Sequence, residues 1–140
     1  FFDLLMSYLG VCTPQQVALS VLATVIGHQP EKGWVIVDAG WMAMSRDRGT
    51  GKQQRDYGYG QVSTADGVPI EGYLLSAANQ EHGILSREGA ADPDIVARFP
   101  AGTRLGILPN HASATGAQFP PYQALAAHGT VQTWERFHGW

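Results

Sequence analysis

The sequence of 140 residues predicts a mainly β domain whose strands form a closed or partly closed barrel or a sandwich. Apolar runs rich in β-branched residues recur along the chain, and 17 glycines and 8 prolines separate them at short intervals. Helical periodicity of the apolar positions is poor throughout. A closed sheet is favoured over an open one because closure removes the exposed edge strands.

Two strands are predicted in the first third of the chain, at residues 17–28 and 34–40, with a turn at Pro30 and Gly33 between them. The second, WVIVDAG, is a nearly continuous apolar run, as expected of a strand buried on both faces. Residues 45–60 are rich in glycine and charge and keep no hydrophobic period, so they are predicted to form a long loop. Long loops in compact domains are usually functional or disordered.

The remaining chain continues the pattern of short strands and turns. The glycine and proline positions predict an extended segment at 61–63, a hairpin-type turn at 65–69, and a strand from 70 that ends in a polar corner at 79–83. One or two helical turns are predicted over 94–99, followed by a strand up to Asn110. Residues 122–137 are predicted to form a strand, a turn at His128-Gly129 and a second strand. The aromatic residues of the closing WERFHGW are expected to belong to the core rather than to a cofactor site.

Composition excludes several classes of partner. A net charge of -3 gives no basic surface, so neither nucleic acid nor an anionic membrane is expected to bind. The longest nearly apolar run, 17–27, is too short to span a bilayer. The one cysteine, Cys12, fits a reducing compartment and thus a cytoplasmic location. FFDLLMSYLG carries Asp3 and lacks the basic region of a signal peptide, and the absence of an initiating methionine suggests a piece of a longer chain.

Four familiar motifs of catalytic and metal sites are absent. GTGK at 49–52 is not a phosphate loop, because Arg46 stands where the motif needs glycine and Gln53 where it needs Ser or Thr. Neither HExxH nor CxxC occurs, and there is no Gly-x-Ser-x-Gly nucleophile elbow.

His111 and Ser113 form the most informative pair, after the strand end at Pro109 and beside the polar Asn110. On an extended backbone these alternate positions face the same way, about 6–7 Å apart, and could converge on one metal ion. The alternative is that His111 caps a turn and Ser113 bonds local backbone. A neutral hydroxyl is also a poor ligand for a divalent ion. The residues alone leave both interpretations open.

Two further polar groups are candidates for a supporting role. Glu81 and His82 lie in the NQEHG corner, where a carboxylate beside an imidazole can orient it toward a metal; an exposed turn is the alternative. Asp38 and Trp41 follow the second strand, and strand ends often carry binding residues. Their structural alternative is that Asp38 bonds turn amides and Trp41 packs in the core.

Three segments, in this order, resemble one family. VDAGWMAMSRDRG, the NQEHG corner, and RLGILPNHASATGAQF with WERFHGW are similar to the C-terminal domain of the D-threonine aldolase / D-serine dehydratase family. The resemblance covers essentially the whole chain. It implies residues 17–140 as the C-terminal β domain of an alanine-racemase-like, two-domain enzyme, with residues 1–16 as the remnant of the passage from an N-terminal β/α barrel.

The resemblance also implies a function. Enzymes of this family use pyridoxal phosphate and a divalent metal (Mn, Zn or Mg) to cleave or dehydrate D-β-hydroxy amino acids, and their build suggests a homodimer. His111 matches the family's histidine ligand, and Ser113 stands where the second ligand is Cys or Asp. Glu81 and His82 match the corner beside that site. Lys32 and Lys52 do not match the Schiff-base segment, so no catalytic residue is expected in this chain and the missing barrel is expected to supply that lysine.

Two other functions stay open. A degenerate, non-catalytic β domain used for binding or dimerisation is consistent with Ser113. An amino acid racemase shares the architecture and needs no metal pair.

Overall fold

The computed structural model describes residues 1–126 and 129–137. Six antiparallel strands close into a barrel in the order β1-β2-β5-β4-β3-β6, which confirms the predicted mainly β class. A separate hairpin, β7-β8, follows the barrel. The strands are β1 Val21–Gln29, β2 Trp34–Val37, β3 Gly60–Thr64, β4 Pro69–Ala78, β5 Gly83–Arg87, β6 Arg104–Pro109, β7 Tyr122–Leu125 and β8 Val131–Trp134.

Helix is scarce in the described part of the chain, as predicted. The α-helices are α1 Leu4–Tyr8, α2 Trp41–Met44, α3 Ile95–Arg98 and α4 Ala112–Gly116, and short 3-10 turns cover Pro14–Gln16 and Pro30–Lys32. The turn of helix predicted over 94–99 is confirmed as α3. The other three are too short to produce a periodic signal, so sequence reasoning missed them.

The core fills the barrel interior because inward positions alternate along the strands. Val21, Ala23 and Val25 of β1 point inward, and Leu105 and Ile107 of β6 meet them. Two predictions need correction. The first strand starts at residue 21 rather than 17, and β2 alternates between buried and half-buried residues instead of being buried on both faces.

Antiparallel pairing around the ring sorts the connections into two sets. Residues 38–59, 79–82 and 110–116 follow β2, β4 and β6 and lie at one end of the barrel, called here the site end. The connections 30–33, 65–68 and 88–103 lie at the opposite end. The predicted loop 45–60 and the polar corner 79–83 therefore meet the end of β6, although they are far apart in sequence.

The N-terminal segment also packs at the site end. Leu4 of α1 and Val17 are buried in a second cluster with Leu74 and Leu108, outside the barrel interior. Asp3 caps α1 through the Met6 amide at 2.9 Å. The proposed division of the chain at residue 16 stays a prediction.

Three smaller predictions can be compared with the described residues. The turn at 65–69 and the two final strands are confirmed as the β3–β4 hairpin and as β7 and β8. His128 of the predicted turn, and the last three residues of WERFHGW, lie outside the described residues. Within residues 1–126 and 129–137, no helix is long and apolar enough to cross a membrane.

Candidate functional site

His111 lies where β6 has ended and α4 has not yet begun. Its backbone is extended, and its ring nitrogen Nδ1 is 2.5 Å from Oδ2 of Asp47. An ionised carboxylate can only accept, so Nδ1–H donates, and in the neutral imidazole the lone pair is then on Nε2. The two side chains are 40% and 43% exposed, so the pair lies at the protein surface.

Ser113 follows His111 into a helix rather than along an extended segment. Helix α4 begins at Ala112, and His111 is its N-cap residue. The helical turn forms because Asp3 accepts the Ala112 amide at 2.8 Å and the Thr115 hydroxyl donates to the Met44 carbonyl at 2.7 Å. The assumption of an extended 111–113 segment is therefore wrong, and the Ser113 side chain is exposed.

Asn110 is buried and holds the long loop. Its Oδ1 accepts the Thr50 hydroxyl at 2.6 Å, and its Nδ2 donates to the Gly58 carbonyl at 2.5 Å. Thr50 is itself buried and accepts the Tyr57 amide at 3.1 Å. With its amide satisfied on both sides, Asn110 fixes loop 45–60 to the end of β6.

Glu81 and His82 lie exposed at the tip of the β4–β5 corner. The corner packs against α2, whose Trp41 and Met42 amides donate to the carbonyls of residues 79 and 80 at 2.9 and 3.1 Å. Helix α2 is in turn bonded to α4 through Thr115. The corner and His111 are thus at the same end of the barrel, and α2 joins them without a hydrogen bond from either corner side chain to His111 in the described structure.

Asp38 and Trp41 take local roles. Asp38 is exposed, and its Oδ1 accepts the Thr24 amide of β1 at 2.6 Å, so it bonds a strand amide rather than the turn amides of its structural alternative. Trp41 is half-buried rather than packed in the core, and the Arg46 guanidinium lies 3.9 Å from its ring centroid.

Asp47 is the site residue that sequence reasoning missed. It lies 64 positions before His111, inside the loop that carries no hydrophobic period. The available signal was indirect: a long charged loop in a small domain is often functional. Nothing in the local sequence indicated which of its charges would reach the histidine.

Among residues 1–126 and 129–137, no group of three or more His, Cys, Asp or Glu side chains could hold an ion. Burial raises the pKa of the Cys12 thiol, and the nearby Asp3 carboxylate adds to the shift, so Cys12 is kept protonated and is a poor ligand. His111 and Ser113 therefore stay the predicted metal ligands, without a third donor grouped with them in the described residues.

The two lysines do not fit a Schiff base with pyridoxal phosphate. Lys32 lies at the opposite end of the barrel, with its ammonium 4.7 Å from the Trp34 ring centroid. Lys52 is an exposed residue of the long loop. Neither lies in a buried pocket beside His111, so no catalytic step through the cofactor is assigned to these residues.

Comparison with known proteins gives a consistent family. Residues 18–125 match the family model D-ser_dehydrat, described as "Putative serine dehydratase domain". The D-threo-3-hydroxyaspartate dehydratase of Delftia sp. (strain HT23) is 70% identical over 141 residues, covering 100% of this chain and 37% of that protein. Its structure superposes with a TM-score of 0.96, and another of its structures is a variant in the metal-free form.

Two more distant relatives agree. The D-serine dehydratase of Schizosaccharomyces pombe is 34% identical over 130 residues, which are 89% of this chain and 28% of that protein. An alanine-racemase-like protein from Idiomarina loihiensis has 47% identity and a TM-score of 0.90, covering 99% of this chain and 36% of the other. The chain thus spans about a third of the length of these relatives, and the resemblance read from the sequence is confirmed.

Proposed function

The chain belongs to the D-ser_dehydrat family, and on that premise we propose that it is the metal-ligand domain of a pyridoxal-phosphate-dependent lyase for D-β-hydroxy amino acids. Loss of water is favoured over retro-aldol cleavage because the curated relatives compared above are dehydratases. Since the chain covers about a third of those relatives, we propose that an N-terminal β/α barrel completes the enzyme as its other domain, in a homodimer. A cytoplasmic location stays part of this proposal.

The observation that carries the proposal is the imidazole of His111, fixed at Nδ1 by Asp47 with Nε2 left open. A ligating histidine in a metal site usually donates its other ring N–H to a carboxylate in this way. A bound divalent ion such as Mn²⁺, Zn²⁺ or Mg²⁺ supplies Lewis acidity toward the β-hydroxyl of the substrate. His111 would hold that ion through Nε2, and Ser113 offers only a neutral hydroxyl.

The other site-end residues have distinct tasks in this proposal. Asn110 fixes the loop that carries Asp47, and Glu81 and His82 face solvent at the corner, where they are available to the substrate side. Asp38 holds β1 to the end of β2, which leaves it the least available of the candidates.

Metal binding by the chain tests this proposal directly. Mn²⁺ is titrated into the 140-residue chain while NMR follows the paramagnetic broadening of each histidine ring. We expect His111 to broaden first, His111→Gln to abolish that effect, and Ser113→Cys to tighten binding about tenfold or more because a thiolate replaces a neutral donor. His28→Gln, at the opposite end of the barrel, is the control. Equal Mn²⁺ affinity of the wild type and His111→Gln would contradict the proposal.

Lyase activity is expected to be absent from the chain alone. Because neither lysine fits a Schiff base, added pyridoxal phosphate should produce no specific absorption band and no turnover of D-serine or D-threo-3-hydroxyaspartate. Turnover that follows Lys32 or Lys52 in lysine-to-arginine variants would show that this part of the proposal is wrong.

A non-catalytic binding or dimerisation domain is the second candidate, and Ser113 is the observation that favours it. A domain that has lost the metal should be indifferent to Ser113→Cys in the titration above. A racemase is the other alternative, and it needs no metal pair. Turnover of D- or L-alanine by the complete protein would indicate this function.

A further inference from the structure

Residues 45–49, the part of the long loop that carries Asp47, are attached on both sides to the segment that carries His111. On one side, Met44 accepts the Thr115 hydroxyl at 2.7 Å. On the other side, the buried Thr50 donates to Asn110, the neighbour of His111, at 2.6 Å. Residues 45–49 therefore span a short distance between two fixed points, and the position of Asp47 is restricted although its side chain is exposed.

Ser45 adds a local constraint between these points. It is buried and has φ 72 and ψ 167, a backbone region that is essentially restricted to glycine. Its hydroxyl accepts the Asp47 amide at 3.1 Å. A non-glycine residue keeps such a conformation only where the surrounding structure imposes it. The chain reversal at Ser45 turns the loop so that Asp47 reaches back to the imidazole.

We infer that Asp47 is a positioning residue for the His111 imidazole: it fixes the tautomer with the proton on Nδ1 and adds a negative charge next to a site that lacks an anionic donor at Ser113. This rests on the proposed metal role of His111. The carboxylate oxygen at 2.5 Å can only accept, so in the neutral imidazole the lone pair is on Nε2. The charge would lie across the ring from an ion held by Nε2, where it would raise the basicity of the ligand.

The tautomer is tested without any metal. Long-range ¹⁵N–¹H correlation spectra of the 140-residue chain at about pH 8, where an ordinary imidazole is neutral, report which ring nitrogen of His111 carries the proton. We expect Nδ1–H in the wild type and a mixture in Asp47→Ala, since the described residues offer this ring no second hydrogen-bond partner. Asp66→Ala is the matched control, because Asp66 is an exposed aspartate of the β3–β4 turn.

Mn²⁺ affinity, measured by the same broadening experiment, gives the second readout. Asp47→Ala is expected to weaken binding roughly 10- to 100-fold, as removal of an outer carboxylate usually does. Asp47→Asn keeps the size and an acceptor oxygen but not the charge, so it should fall between the wild type and Asp47→Ala. Asp66→Ala should bind like the wild type.

The outcomes separate this inference from the function on which it rests. An unchanged tautomer and unchanged Mn²⁺ affinity in Asp47→Ala, in a wild type that binds Mn²⁺ at His111, would overturn the role of Asp47 alone. No broadening of His111 in the wild type would overturn the proposed metal function and this inference with it. A folded Asp47→Ala chain, checked by its backbone spectrum, excludes loss of structure as the cause of either result.

Discussion

Each end of the barrel holds a carboxylate bonded to a ring, but the two are built differently. At the opposite end, Asp92 is buried and accepts from the Tyr73 hydroxyl, from Arg98 Nε at 3.1 Å and from the Asp94 amide at 2.9 Å. At the site end, Asp47 is exposed and holds a ring that keeps one nitrogen free. Asp92 has its acceptor capacity used within the protein, whereas the pair at the site end can still bind something else.

This difference distinguishes Asp92, a carboxylate with a structural role, from Asp47, the carboxylate for which we propose a functional role. Hydrogen bonds from Tyr73, from the Asp94 amide and from Arg98 lower the pKa of Asp92. Burial, with the bond to Asp92, raises the pKa of Tyr73. Both shifts favour an ionised Asp92 beside a neutral Tyr73 in the folded protein. The hydrogen bond between them fastens the connection that carries α3 to the barrel. A perturbed pKa on its own therefore does not mark the ligand site in this molecule.

A substitution that disturbs the backbone packing at the site end should cause the largest loss in the free energy of unfolding. A Cβ added at Gly40 would lie 2.4 and 2.5 Å from the carbonyl oxygens of Gln80 and Asn79, so Gly40→Ala must push α2 away from the corner. We expect a loss of about 3 kcal/mol in the free energy of unfolding, measured in urea. Gly27→Ala is the control, because a Cβ there meets open space. Equal stability of the two variants would disprove this close approach.

Asn110→Ala should produce the next largest effect. It leaves the Thr50 hydroxyl and the Gly58 carbonyl without their buried partner, which is expected to cost about 2 kcal/mol. Amide hydrogen exchange should accelerate in residues 45–60 and stay unchanged around α3. The exposed Asn79 provides the control as Asn79→Ala. Uniform acceleration at both ends would mean that Asn110 supports the whole fold rather than the loop.

The sequence predicted the barrel and the candidate residue His111, but it did not predict the pairing of His111 with Asp47. Alternating strands, turn residues and the break after Pro109 are local signals, and they predicted the class and the position of His111. The helical turn at 112–116 was missed because contacts from Asp3 and Met44, distant in sequence, decide it. Asp47 was missed for the same reason: the closure of the barrel brings it to His111, and no local pattern reports that.

Tyr73→Phe tests the opposite end and should cost about 1–2 kcal/mol, since it removes one hydrogen bond from a buried carboxylate. The pH dependence follows from the two shifts. The lowered pKa of Asp92 gives stability that is complete above the ordinary value of 3.8 and is lost as the pH falls through the folded value. The raised pKa of Tyr73 gives stability that is complete below 10.0 and is lost as the pH rises through the folded value.

The gap between wild type and Tyr73→Phe should therefore be widest at neutral pH and narrow at both extremes, as measured by urea unfolding across the pH range. Tyr8→Phe, at a half-buried tyrosine of α1, is the control. Mn²⁺ binding at His111 should not change, because the two carboxylates serve different ends. A weakened Mn²⁺ affinity in Tyr73→Phe would show that the ends are coupled.

An ion pair in the described part of the chain joins the long loop to the opposite end, and we expect coupling through it to be weak. Arg55 of the long loop donates to Glu88, just beyond β5, at 2.8 Å, with side chains 42% and 33% exposed. Glu88→Gln keeps the shape and removes the charge, and should cost about 0.5 kcal/mol at low salt and nothing at about 1 M salt. Glu31→Gln, an exposed glutamate without such a pair in the described residues, is the control. A cost that persists at high salt, or a change in Mn²⁺ affinity, would mean that this pair transmits structure to the site.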